Sequence, residues 1–156
     1  MDFGLTDEQS LLIESVREMM ARGNYESYFR ECDDEGVLPQ KAIDDAVELG
    51  FAALGVPEEL GGTPCDDITK FLVAEEAIAL GWPSLCWVNQ SLEVDDILSF
   101  GTPEQQKIIC ELGLKGVKPF TLGFSEPQAG SDSYAATTTV NERDGKLYLN
   151  GCKTVN

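Results

Sequence analysis

The hydrophobic period of this chain changes at Gly116, and that change constrains its fold more than any other feature. Ahead of it, apolar residues recur at helical spacing between marked stops. Beyond it they alternate, as in strands with one buried face. The pattern predicts a segregated α+β chain: an all-α helical bundle over residues 1–116, then the beginning of a small antiparallel β unit over residues 117–156.

Local chemistry marks the helix boundaries. Thr6-Asp7-Glu8-Gln9 is a capping box, with Thr6 as N-cap and Gln9 reaching back to it. Leu12, Val16, Met19 and Met20 follow as an apolar stripe that ends near Gly23. A short helix is expected from Tyr25 to Asp33. Pro39 suits the next start, Ile43, Ala46 and Val47 its buried face, and Gly50 its stop. Phe51 to Gly62 reads as an apolar connection turning at Val56-Pro57 and at Gly61-Gly62. The helix expected from about Asp66 to Leu80 carries Ile68, Phe71, Leu72, Glu75 and Ala79 along one side, and another apolar helix runs from about Ser84 to Phe100. Thr102-Pro103-Glu104-Gln105 is a second capping box, with proline at the first helical position.

Past Gly116, Phe120, Leu122 and Phe124 point one way along a strand that enters a Ser-Glu-Pro turn. Thr137 to Val140 form a second strand, Asp144-Gly145 signals a hairpin, and Lys146 to Leu149 returns from it. Two or three strands cannot bury both faces of a sheet, so the β part reads as unfinished.

Charge and composition remove whole classes of function. Acidic residues outnumber basic ones 28 to 11, for a net charge of −17. That is the wrong sign for a phosphate backbone or an anionic bilayer, so neither nucleic acid nor membrane is expected as a partner. The five cysteines, Cys32, Cys65, Cys86, Cys110 and Cys152, have no Cys-x-x-Cys spacing, and the chain contains no histidine. No metal site and no Ser-His or Cys-His pair is expected. Isolated cysteines without a signal peptide fit a reducing cytoplasm, and no apolar run reaches the length that crosses a bilayer.

The stretch Phe124-Ser125-Glu126-Pro127-Gln128-Ala129-Gly130-Ser131-Asp132 is the candidate site. It sets hydroxyls and backbone N–H groups where a glycine admits close approach to the main chain. On its own it reads equally as a polar surface loop.

Its surroundings shift that balance. A helical half, then Ser-Glu-Pro-x-Ala-Gly-Ser-Asp, then a hairpin reaching Leu-Asn-Gly-x-Lys resembles the acyl-CoA dehydrogenase family. The likeness runs over essentially the whole chain in ordered blocks. These are Leu5 to Gln9, Gly50 with Val56 to Gly62, Gly101 to Gln106, and Ser125 to Asp132. A finer likeness, from Met1-Asp2-Phe3 and the Tyr28 to Asp33 segment, is to crotonobetainyl-CoA dehydrogenases of carnitine metabolism. The resemblance implies three domains, of which residues 117–156 are the truncated start of the middle one, a small antiparallel β-barrel, and the C-terminal α domain is absent. It also implies FAD, an acyl-CoA substrate, an electron-transfer flavoprotein or similar acceptor, and a homotetramer when intact. In that family a carboxylate removes a proton at Cα while hydride leaves Cβ, and hydrogen bonds to flavin and thioester stabilise the charge that develops.

Carried over residue by residue, the resemblance sets Leu122, Phe124, Ser125, Gly130, Ser131 and Val155 against the cofactor, with the Ser125 hydroxyl at the pyrimidine edge. Ser131, Trp87, Val88 and Leu92 would meet the substrate. Trp87 could hold a trimethylammonium group, with Glu93 or Asp95 as counter-charge, at about 0.5–2 kcal/mol. The alternative for Trp87, Val88 and Leu92 is core packing. Val155 departs from the pattern by standing where the family has an aromatic residue. The general base belongs to the absent domain, so no carboxylate here is assigned to catalysis and the chain is expected to be inactive alone. The other function open at this point is a noncatalytic helical interaction or assembly module derived from the same family.

Overall fold

A computed structural model describes residues 4–83, 92–117 and 123–154, at 92 and 93 the backbone only. The expected segregated α+β order is what it shows. The chain divides into two compact units, Met1–Pro119 and Phe120–Asn156. Among the described residues the first holds six helices: α1 (Asp7–Gly23), α2 (Tyr25–Glu35), α3 (Gln40–Glu48), α4 (Asp67–Ala79), α5 (Leu92–Phe100) and α6 (Pro103–Gly113). The second holds a two-stranded antiparallel sheet, β1 (Thr139–Arg143) and β2 (Lys146–Asn150).

Both capping boxes form. Thr6 Oγ1 accepts the Gln9 amide at 3.1 Å and Gln9 Oε1 accepts the Thr6 amide at 3.0 Å; Thr102 and Gln105 repeat the arrangement at 3.3 and 2.8 Å. Gln9 also reaches out of its helix, its Nε2 donating to Thr69 Oγ1 at 3.0 Å, so one residue caps α1 and pins it to α4. About two turns further along, Arg17 grips Glu76 with two N–H groups at 2.8 and 3.2 Å. The core of this unit is a cluster of Val16, Met19, Tyr25, Ala42, Ala46, Phe51, Leu54, Val73, Ala74, Ala77 and Trp82. Ile43 and Ala52 make a smaller cluster on the outer side of α3.

One helical face differs from the expectation. On α4 the buried residues are Thr69, Val73, Ala74 and Ala77, whereas Ile68, Phe71, Glu75 and Ala79 face outward and Leu72 is half-buried. α4 is apolar nearly all round, so periodicity could not choose its inner side. Size chose it, because the two alanines let α1 approach closely. The same holds on α1, where Ile13 is buried although the stripe reading omitted it.

The connection after α3 is anchored rather than loose. Phe51, Ala52, Leu54 and Val56 are buried, and Thr63 bonds back to Ala53 and Gly55 at 2.8 and 2.9 Å. Gly116, φ +73°, is packed against α3, where an added Cβ would sit 2.5 Å from Ile43 Cγ2.

In the second unit, Asp144 and Gly145 turn the hairpin with φ of 53° and 71°, as Asp-Gly demands. The register pairs Val140 with Leu149 and Glu142 with Leu147. Every residue of both strands is exposed, as expected of a sheet with too few strands to bury a face. The first strand begins at Thr139, so Thr137 and Thr138 lead into it and do not belong to it. Residues 123–125 are not strand, and Phe124 is exposed; Phe120 and Leu122 lie outside the described residues.

Candidate functional site

The Ser-Glu-Pro loop is organised by its own glutamate. Pro127 and Gln128 are the tip of a tight turn in which Glu126 and Ala129 exchange backbone hydrogen bonds at 2.9 and 3.0 Å. The Glu126 side chain is 1% exposed. Its Oε2 accepts the Thr137 amide at 2.7 Å, the Thr137 hydroxyl at 3.0 Å and Gln128 Nε2 at 2.6 Å. Its Oε1 accepts the Thr138 amide at 3.0 Å and Lys153 Nζ at 2.9 Å. The Lys153 ammonium, together with the threonine donors, holds the Glu126 carboxyl far below the usual carboxylate range.

Around this hub the expected cofactor residues take up distinct positions. Ser125 is half-buried, and its carbonyl accepts the Thr154 amide at 2.8 Å. Phe124 exposes its ring while its carbonyl accepts Lys153 Nζ at 3.2 Å. Gly130 and Ser131 are exposed, and a Cβ added at Gly130 would meet nothing within 4 Å. Packing within the described chain therefore does not demand glycine at 130. Leu122 and Val155 lie outside the described residues.

On the substrate side, Trp87 and Val88 lie outside the described residues, as do the side chains of Leu92 and Glu93. Asp95 is described, and it accepts Lys70 Nζ at 3.5 Å, while Asp67 binds the same ammonium at 2.8 Å. Burial opposes the charge on Lys70, but the two aspartates outweigh it and its pKa is raised. The counter-charge proposed at Asp95 is thus already engaged by a lysine.

A cleft of about 270 Å³ opens between α1 and α3, lined by Arg22, Lys41, Asp45 and Glu48 among others. Two of its charges are paired with each other, Lys41 and Asp45. Tyr25 donates a short hydrogen bond to Asp45, and Lys41 pairs with Asp45 at 3.3 Å while sitting 4.7 Å from the Tyr25 ring centroid. Burial pushes the Cys65 and Cys110 thiols up, which disfavours a thiolate at either position.

Glu126 and Lys153 are the residues that sequence reasoning left without a role. Both were in plain sight, one inside the Ser-Glu-Pro turn and one in Gly-x-Lys, but 27 positions separate them. No periodicity links residues that far apart.

In chain order, a helical half whose α1 and α6 start in capping boxes is followed by this loop and a two-stranded sheet. The sequence model of the acyl-CoA dehydrogenase N-terminal domain matches residues 6–113, and the chain belongs to the acyl-CoA dehydrogenase family. It is 40% identical over 155 residues to the probable acyl-CoA dehydrogenase YdiO of Escherichia coli K12, covering 99% of this chain and 40% of that protein. Among solved structures it resembles the glutaryl-coenzyme A dehydrogenase glutaryl-CoA complex, with TM-score 0.83, 27% identity, and coverage of 99% of this chain and 40% of the other. It also resembles butyryl-CoA dehydrogenase from Megasphaera elsdenii, with TM-score 0.77, 26% identity, and coverage of 98% and 41%. The chain spans about 40% of the length of the curated relatives it matches.

Proposed function

We propose that this chain supplies the helical wall and the flavin-facing loop of an FAD-dependent acyl-CoA dehydrogenase, acting on the Cα–Cβ bond of an acyl-CoA thioester. The observation that carries the reading is the loop from Phe124 to Ser131. It is held by Glu126, and it leaves Ser131 and an unobstructed Gly130 exposed with Ser125 half-buried beside them. That donor set fits a flavin edge, which needs hydroxyl and N–H donors and a backbone a planar ring can approach. When bound, FAD supplies the redox chemistry. Ser125 would donate to the pyrimidine edge, Phe124 would pack beside the ring, and Gly130 and Ser131 would admit the cofactor and the thioester. Leu122 and Val155 complete the proposed cofactor set, and Trp87, Val88 and Leu92 the substrate wall.

The finer parts of the reading belong to the same proposal: γ-butyrobetainyl-CoA or crotonobetainyl-CoA as substrate, an electron-transfer flavoprotein as acceptor, and a homotetramer. None of the described carboxylates is proposed as the base, since Glu126 is committed to five hydrogen bonds and Asp95 to Lys70.

The test is the visible spectrum of the purified chain after incubation with FAD and desalting. The expected result is a retained, structured flavin band that Ser125→Ala weakens. A folded chain that retains no flavin, or a Ser125→Ala variant that retains as much as the parent, would count against the assignment.

A further inference from the structure

Among the described residues of Phe120–Asn156, only Glu126 and Ala129 are buried. This unit has no apolar core among its described residues; a single buried carboxylate takes that place. Its donors come from separate stretches of chain: Gln128 in the loop itself, Thr137 and Thr138 ahead of β1, and Lys153 beyond β2.

The tie to residues beyond β2 has three strands. Lys153 Nζ bridges Glu126 Oε1 and the Phe124 carbonyl, at 2.9 and 3.2 Å. The next amide, Thr154, donates to the Ser125 carbonyl at 2.8 Å. Residues 124, 125 and 126 are therefore each held from the same side by 153 and 154, through two carbonyls and one carboxylate. The peptide groups on both sides of Ser125 are fixed, and its side chain is half-buried.

We propose that Glu126 and Lys153 form a positioning clamp that sets where the Ser125 hydroxyl stands in the FAD site, without either side chain touching the cofactor. The inference rests on the reading of this loop as the flavin-facing one. A buried ion pair is a poor source of stability, because desolvation offsets much of its attraction, but it is selective about geometry. Lysine suits the role with its several donors on one ammonium, which here serve a carboxylate and a carbonyl together. The depressed carboxyl of Glu126 agrees with a site that is ionised throughout the neutral range.

The experiment compares Glu126→Gln, Lys153→Met, their double variant, Lys153→Arg and Ser125→Ala in the full chain. Far-UV circular dichroism confirms that the helices persist. Two quantities are then read: amide hydrogen exchange at Thr137, Thr138 and Thr154 without cofactor, and FAD affinity from quenching of flavin fluorescence. The clamp predicts that Lys153→Met speeds exchange at the Thr154 amide at least tenfold and weakens FAD at least tenfold, although neither Thr154 nor Ser125 has changed. Lys153→Arg should restore most of both. The double variant should be no worse than the more damaging single, because both remove one device. Ser125→Ala should weaken FAD and leave Thr154 exchange alone. Unchanged Thr154 exchange in Lys153→Met overturns the clamp. So does FAD affinity that survives the loss of Thr154 protection. A parent chain that exchanges as described yet binds no FAD overturns the site reading instead, and the positioning role with it.

Discussion

Removing the Tyr25 hydroxyl separates two kinds of work done by one side chain. Tyr25 is 3% exposed. Its ring stacks on Phe29 with centroids 5.3 Å apart and meets Trp82 edge-on at 6.0 Å. It also folds back over Gly23, where an added Cβ would sit 2.0 Å from the ring's Cζ. Its hydroxyl binds Asp45. Tyr25→Phe keeps every ring contact, including the Lys41 ammonium 4.7 Å from the centroid, and deletes only the hydrogen bond. A bond to a charged group is worth about 1.5–3 kcal/mol. Because the Asp45 side chain is 36% exposed, water and Lys41 compensate part of the loss. A cost of about 1 kcal/mol is expected after that discount. Tyr25→Ala also empties the aromatic cluster and should cost about 3–5 kcal/mol.

The effect of acid has a defined sign. Asp45 is held below its usual pKa by the Tyr25 hydrogen bond first and by Lys41 after it. Its contribution is present above about pH 4, the range of an unfolded aspartate, and is lost as pH falls through the lowered folded value. Burial, then Asp45, raises Tyr25, so its hydroxyl keeps its proton at neutral pH. Urea unfolding followed at 222 nm should show the gap between parent and Tyr25→Phe at pH 7, and the gap should shrink below about pH 4. A Phe variant as stable as the parent at pH 7, or one as damaged as Tyr25→Ala, would refute the partition. A gap that persists unchanged in acid would refute the role given to Asp45.

Two further outcomes follow from the first unit. Gly116→Ala must adopt φ +73° and set a Cβ 2.5 Å from Ile43 Cγ2, so it should destabilise by about 2–4 kcal/mol in the same urea assay; a loss below about 1 kcal/mol would mean that the contact relaxes. Ile68 and Phe71, 66% and 69% exposed on α4, form an outward apolar face, and light scattering after size exclusion should find the chain self-associated. Phe71→Glu should shift it toward monomer, whereas a parent that is already monomeric would show that the face does not associate.

Much of the architecture was legible because it is written locally. A capping box needs only residues three apart, a hairpin turn only Asp-Gly, and a helix only its period. Both capping boxes, the Asp144-Gly145 turn and helices α1 to α4 and α6 stand within a residue or two of where the sequence places them. Of the helix expected from about Ser84 to Phe100, the described part is Leu92–Phe100, and residues 84–91 lie outside the described residues. The inner face of α4 was not legible, since apolar residues surround that helix and the choice fell to the alanines that let α1 come close. The candidate loop was legible as a motif, while the reason it holds its shape was not.

By itself the sequence determined the order of elements, the switch from helix to strand after Gly116, and the residue types of the candidate loop. Tertiary structure alone decided that Gln9 would join α1 to α4 and that Asp95 would be engaged by Lys70. It also decided that Glu126 would be enclosed by donors from residues 128, 137, 138 and 153. The physical reason is the same in each case. A backbone preference is settled within a few residues, whereas a polar side chain is partnered by whatever the folded chain brings within reach of it, at 2.9 Å for Lys153 on Glu126 and 3.5 Å for Lys70 on Asp95.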